Sequence, residues 1–285
     1  MLCTRLLRLQ KWLYVIVGLT FLSGILGTGH HYYWIGVPEY WLWVGGVFSA
    51  LEPLAFLAMA AYAYAIIRRS GLSHPNSLAL HWTLGATVFS AIGAGILGVA
   101  HTWPQVNAWT HGTHITTMHG HMAFLGAYAM INLAIISFAV PVLTGRRDEE
   151  TQTSLGLASF WLMVGGMFGM TMALAAAGIT QTYLERILGI GYLETQQKIQ
   201  VHYLMWLGAA VIFALGVARY GIEDVRQAVA EARLQGVRLF GITVDREGPA
   251  YLPRLFGPHA YTVIWDAEAL PERLPAIYRK LTAGA

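Results

Sequence analysis

The chain has 285 residues, a net charge of +3, and a composition that is 56% hydrophobic and only 12% charged. That is about half the charge of an ordinary soluble domain, which excludes that class and leaves a polytopic membrane protein. No basic cluster suits nucleic acid, and no nucleophile or phosphate-cradling motif stands out.

A spanning helix needs roughly 20 mostly apolar residues. Six stretches meet that length: 11 to 31, 40 to 67, 76 to 100, 113 to 143, 154 to 181 and 199 to 218. The first follows a basic start with Arg5, Arg8 and Lys11, as a secretory signal would. Its apolar run is too long for a signal core and no small-residue cleavage site follows, so it reads as an uncleaved helix. Arg5, Arg8, Lys11, Arg68, Arg69, Arg146, Arg147 and Arg219 fall on one side of this topology, against Arg186 and Lys198 on the other. Cationic loops stay in the cytoplasm, which places both termini there. Gly93 to Gly98 lies inside a span, where small residues serve close helix packing. Cys3 stands alone and excludes an internal disulfide.

Composition changes near Ala218 to Gly221. Residues 221 to 285 hold 16 charged positions in 65, against 17 in the 220 before them, so the tail is soluble in character. Ile222 to Leu234 has the apolar spacing of an amphipathic helix, Val237 to Val244 and Tyr261 to Trp265 read as strands, and a last helix covers Leu270 to Leu281. The order is α/β, yet two strands make a poor free-standing sheet, so the tail reads as part of a domain.

Ionisable residues inside a membrane are costly, and each is a functional candidate. His30 and His31 sit near the outer end of the first span in GTGHHYYWIG, residues 27 to 36. Consecutive helical side chains point about 100° apart, so both imidazoles can converge on one ion where glycines let the chain deform. The alternative is an interfacial pair beside the belt of Tyr32, Tyr33 and Trp34.

Glu52 lies 12 residues into the second span, a depth of about 18 Å. It needs a metal, a proton partner or water, or pairing with a neighbouring helix. Pro53 beside it kinks the helix and frees a carbonyl, as happens where a helix lines a site.

His119 and His121 fall in MHGHMAF, residues 118 to 124. Two apart on a helix, they project to nearly opposite sides and suit two different metals rather than one. Gly120 between them leaves room for a flat macrocycle, and imidazole is a common axial ligand of heme iron. Hydrogen bonds to carbonyls are the structural alternative. Eight of the ten histidines before residue 220 (all but His74 and His81) lie on the non-cytoplasmic half, which places a metal centre there. An all-imidazole site suits copper or iron, and a carboxylate such as Glu52 moves the preference toward Fe(II).

Gly27 to Phe56 and His111 to Met130 resemble the large subunit of the cytochrome-c-dependent nitric oxide reductases, within the heme-copper oxidase superfamily. The likeness runs over residues 8 to 218. It implies an all-α polytopic membrane fold of the heme-copper oxidase subunit I type, with a transmembrane heme and non-heme iron domain over 1–218. By this resemblance His30 and His31 would be two of three imidazoles on the non-heme iron, and Glu52 its carboxylate ligand or catalytic proton donor. His119 would hold the high-spin heme and His121 the low-spin heme, both of the b type. The implied activity is the denitrification step that joins two nitric oxide molecules, two electrons and two protons into nitrous oxide and water. Its implied partners are a cytochrome c-type small subunit or other electron donor and the lipid bilayer.

The family core has about twice as many spans. Its N-terminal half supplies the third iron histidine, further glutamates and the other axial ligand of the low-spin heme. The expectation is therefore half of a site, with that half as a further partner. Residues 219–285, with GIEDVRQAVAEARLQGVRLFGITVDREG and LPRLFG, are similar to the end of the von Willebrand A-type domain of the protein that activates nitric oxide reductase. This implies an in-frame join near Val217 to Gly221. A terminal oxidase subunit with copper, and a membrane-anchored assembly protein without cofactors, are the other readings.

Overall fold

The computed structural model describes residues 2–70, 76–144, 154–234, 239–243, 247–258, 260–264, 268 and 270–282. His74, Arg146 and Arg147 lie outside the described residues, as do Val237, Arg238, Val244 and Trp265 of the two expected strands. Two compact units emerge, residues 1–153 with 160–215, and residues 154–159 with 216–285.

The first unit is built from helices whose apolar runs match the bilayer. In order they are α1 (Leu2–Gly27), continued by a 3₁₀ turn Thr28–Tyr32; α2 (Tyr40–Ser49); α3 (Glu52–Ser70); and α4 (Ser77–Phe89). Then come a π-helical stretch Ser90–Leu97, α5 (Gly98–Thr102), α6 (Pro104–Thr110), α7 (His114–Phe124), a second π stretch Leu125–Met130 and α8 (Ile131–Thr144). A long α9 (Ser154–Thr182), a third π stretch Tyr183–Ile187, the short α10 (Tyr192–Lys198) and α11 (Gln200–Leu234) complete the helical series, with residues 154–159 of α9 and 216–234 of α11 belonging to the second unit.

Six of these assemblies are long and apolar enough to cross a membrane: Lys11–Tyr32, Tyr40–Ile66, Ser77–Thr102, His114–Pro141, Leu155–Ile187 and Gln200–Gly221. Each agrees with an expected span to within a few residues, apart from the fifth, which runs on through its π stretch to Ile187. Three of them contain a π-helical stretch. Wide π turns widen the helix locally and recur at functional sites, and here they sit in the third, fourth and fifth spans.

The second span breaks where the sequence places a proline. Pro53 has no amide hydrogen, so the Ser49 carbonyl loses its i+4 donor and α2 ends there. Leu51 then donates to Phe48 O at 3.0 Å, and α3 restarts at Glu52.

Trp82 and Met130 are fully buried where α4 packs against α8 and the second π stretch. The Phe160 ring meets Trp82 edge-on at 5.1 Å. Many large apolar side chains face outward, among them Leu57, Phe124, Ile135, Trp161 and Leu204, as a lipid-facing or helix-facing surface requires.

In the second unit, β1 (Gly241–Thr243) and β2 (Tyr261–Val263) pair in parallel through the crossover helix α12 (Gly248–Phe256), with Ile242 opposite Thr262. Leu252, Leu255 and Ile264 form its small buried cluster, and α13 (Leu270–Thr282) follows.

Candidate functional site

The expected site residues fall into two groups. The first is at the C-terminal end of α1. The His30 and His31 rings lie 4.1 Å apart between centroids and tilt by 39°, on the 3₁₀ turn that succeeds the α-helix. His30 Nδ1 hydrogen-bonds Ser49 Oγ at 2.8 Å, across to α2. That approach is possible because α1 and α2 meet backbone to backbone. A Cβ on Gly29 would lie 2.2 Å from Trp41 O, and one on Gly45 would lie 2.1 Å from the His30 nitrogen.

Just beyond the histidines the chain is pinned. Trp34 holds a left-handed φ of 68°, a conformation that costs about 1–3 kcal/mol and persists only where neighbours enforce it. Its Nε1 donates to Asn107 Oδ1 at 3.0 Å, and Asn107 Nδ2 donates to His101 O at 3.0 Å. Tyr33 Oη donates to Thr102 O at 2.7 Å. These bonds fasten the loop after His31 to α5 and α6.

The second group is on α7. His119 Nδ1 donates to Gly93 O in the first π stretch at 2.8 Å, and His121 Nδ1 donates to Thr117 O in its own helix at 2.9 Å. A carbonyl only accepts, so both rings carry their hydrogen on Nδ1 and keep a lone pair on Nε2, the form that binds a metal. As the two-residue spacing predicts, the rings serve different surroundings. His119 stacks on His101 at 5.2 Å and 21°, whereas His121 meets Trp206 edge-on at 6.2 Å and 86°.

The two groups are neighbours. His30 and His119 each lie within electrostatic reach of His31, as does Glu52, while His101 stands in the same relation to His119. His31 and Glu52 are exposed. Among the described residues no three His, Cys, Asp or Glu side chains converge tightly enough to hold a metal ion. His30, His31 and Glu52 therefore supply donors of the right kind without forming a closed ligand set.

A macrocycle fits α7 better. A Cβ built on Gly120 meets nothing within 4 Å, so the surface between the two imidazoles is open. A cleft of about 580 Å³ lies at His121, walled by Phe124, Leu125, Tyr128, Asn132 and Met167. Close to His119, the buried His101 Nε2 has no hydrogen-bond partner among the described residues.

Sequence reasoning singled out five residues and missed Ser49, Gly93, Asn107 and His101. His101 carried a signal, being a histidine near the end of a span. The others act through contacts between distant segments and left none.

The family of cytochrome c and quinol oxidase polypeptide I matches residues 2–212 of the chain. A nitric oxide reductase subunit of Stutzerimonas stutzeri is 42% identical over 218 residues, which are 74% of this chain and 46% of that protein. The chain thus spans under half the length of that relative. Shorter matches of 63 residues, 22% of this chain, reach Protein NorD of Brucella melitensis at 51% identity and the uncharacterized protein PA0525 of Pseudomonas aeruginosa at 56%. Each of these matches covers 10% of the longer protein.

Proposed function

The chain belongs to the cytochrome c and quinol oxidase polypeptide I family, and on that premise we propose that it is a portion of a nitric oxide reductase catalytic subunit. The transmembrane heme domain covers residues 1–218 and a partial von Willebrand A-like segment covers 219–285. The observation that carries the reading is α7, where two imidazoles two residues apart each present a free Nε2 to separate surroundings beside an open glycine.

In this reading His119 holds a high-spin heme b and His121 a low-spin heme b. When bound, the hemes supply the two electrons that convert two nitric oxide molecules and two protons to nitrous oxide and water. His119 presents Nε2 in a fixed direction because Gly93 O holds its Nδ1 hydrogen. Ser49 does the same for His30, whose Nε2 is left to bind a non-heme iron together with His31. Glu52, within electrostatic reach of His31, is the carboxylate that brings a proton or completes the iron's ligands. No step is assigned to the iron, because the described donors do not close around it.

Positive-inside orientation places both termini in the cytoplasm and the site on the outer half of the bacterial inner membrane. An electron donor of the cytochrome c type docks on that side. The identity to a nitric oxide reductase subunit favours this reading over an oxygen-reducing oxidase with copper.

The test is co-expression of the full chain with the N-terminal half of the Stutzerimonas stutzeri subunit. Two heme components, iron and nitric oxide consumption are expected in the purified complex. A complex with copper at one equivalent per heme, or one with no Soret band, overturns the proposal.

A further inference from the structure

We propose that Tyr203 and His114 form a clamp that sets the rotation of α7 and thereby the ring plane of His121. They are positioning residues for the low-spin heme, and the inference rests on the assignment of His121 made above.

Among the described residues His121 is hydrogen-bonded within its own helix, to Thr117 O. That bond fixes the ring relative to α7 but leaves α7 free relative to its neighbours. On the opposite side, His119 is tied to Gly93 O in the third span. The counterpart on the His121 side lies seven residues earlier, at the first residue of the helix.

The His114 amide donates to Gln181 Oε1 at 3.0 Å, and Gln181 is buried in α9 with its Nε2 donating to Glu185 Oε1 at 3.1 Å. The His114 ring reaches α11. Tyr203 Oη donates to Gln196 Oε1, an oxygen that only accepts, so His114 Nε2–H must be the donor to Tyr203 Oη, at 2.5 Å. The two rings meet edge-on at 5.2 Å and 80°. Backbone contact reinforces the joint, since a Cβ on Gly178 of α9 would lie 2.3 Å from the Ile115 nitrogen.

Helical phase carries this to His121. Seven residues bring a straight helix back to within about 20° of its starting face. His114 and His121 therefore share one stripe of α7, and each meets an aromatic ring of α11, Tyr203 and Trp206 respectively. Those two are three residues apart and lie on one face of α11. A turn of α7 at the clamp becomes a turn of the His121 imidazole against Trp206.

The experiment uses the full chain co-expressed with the N-terminal half of the Stutzerimonas stutzeri subunit. Tyr203→Phe keeps the ring and removes the hydroxyl. His114→Leu removes the donor, and His114→Gln restores one. Electron paramagnetic resonance reads the axial imidazole orientation in the low-spin g values, with the high-spin signal as internal control.

Tyr203→Phe and His114→Leu are expected to shift the low-spin g values by more than the high-spin signal, because Gly93 O holds the His119 ring, and His114→Gln to return them toward the unsubstituted protein. Unchanged low-spin values, or equal shifts in both signals, overturn the clamp. A second readout needs no heme: ¹⁹F resonances of the chain labelled with 5-fluorotryptophan, with the Trp206 line identified by Trp206→Phe. His114→Leu is expected to move that line and His114→Gln to restore it, and an unmoved line overturns the clamp. A complex that takes up no heme while its Trp206 line moves removes the heme assignment and retains the clamp.

Discussion

The helix α7 and the C-terminal end of α1 each present two candidate ligands, yet the molecule holds them differently. On α7 both imidazoles have their Nδ1 hydrogens tied to carbonyls, and the surface between them is open to a flat ligand. Among the described residues His30 is tied at the end of α1, while His31 and, at the start of α3, Glu52 are exposed and belong to no closed ligand set. The α7 pair, proposed above to hold hemes, is preorganised by this chain, and the group proposed for iron is not. Preorganisation lowers the cost of binding, so the two cofactors should depend on the chain to different degrees.

The largest expected effect would break the comparison on the heme side. His119→Ala should remove the high-spin spectral component and His121→Ala the low-spin one, each leaving the other in place, as read by reduced-minus-oxidised spectra of the co-expressed complex. Loss of both components from either substitution would mean that the two imidazoles do not serve separate hemes.

Glu52→Gln comes next. Removing a proton-handling carboxylate lowers a rate by about 10²–10⁴-fold. Nitric oxide consumption should fall on that scale while the heme spectrum stays unchanged. A parallel loss of heme would place Glu52 in the fold rather than in the chemistry.

Gly45→Ala tests the packing beneath the first group. Forcing a methyl against the His30 backbone costs about 1–3 kcal/mol, so the complex should melt at a lower temperature and lose iron before heme. Ser49→Ala is the mildest. Loss of the bond to His30 Nδ1 should weaken iron retention by about 10-fold, measured against a chelator series, with no change in heme content.

The six spans were legible because bilayer thickness imposes a length and an apolar content that composition alone reveals. The kink at Pro53 was legible for a similar reason, since a missing amide hydrogen is a local fact. The opposite facing of His119 and His121 followed from helical phase. The π turns at Ser90–Leu97 and Leu125–Met130 were not legible, because an extra residue in a helical turn leaves the apolar pattern nearly intact. The stacking of His101 on His119 and the bond from Trp34 to Asn107 were hidden as well. They join residues 18 and 73 positions apart, and no local pattern encodes such a meeting. In the tail, helix and strand order was readable, whereas the parallel register of Gly241 with Tyr261 depends on the crossover through α12.

The contact between Gly29 and Gly45 has a consequence for how this site tolerates change. Most packing faults can be relieved by a neighbouring side chain that shortens or rotates. Here the obstacle to any added carbon is main chain on both sides, the Trp41 carbonyl on one and the His30 amide nitrogen on the other. No second substitution can make room. The spacing between the first two spans is thus a fixed quantity at this point, and variation that reaches the site must enter somewhere else.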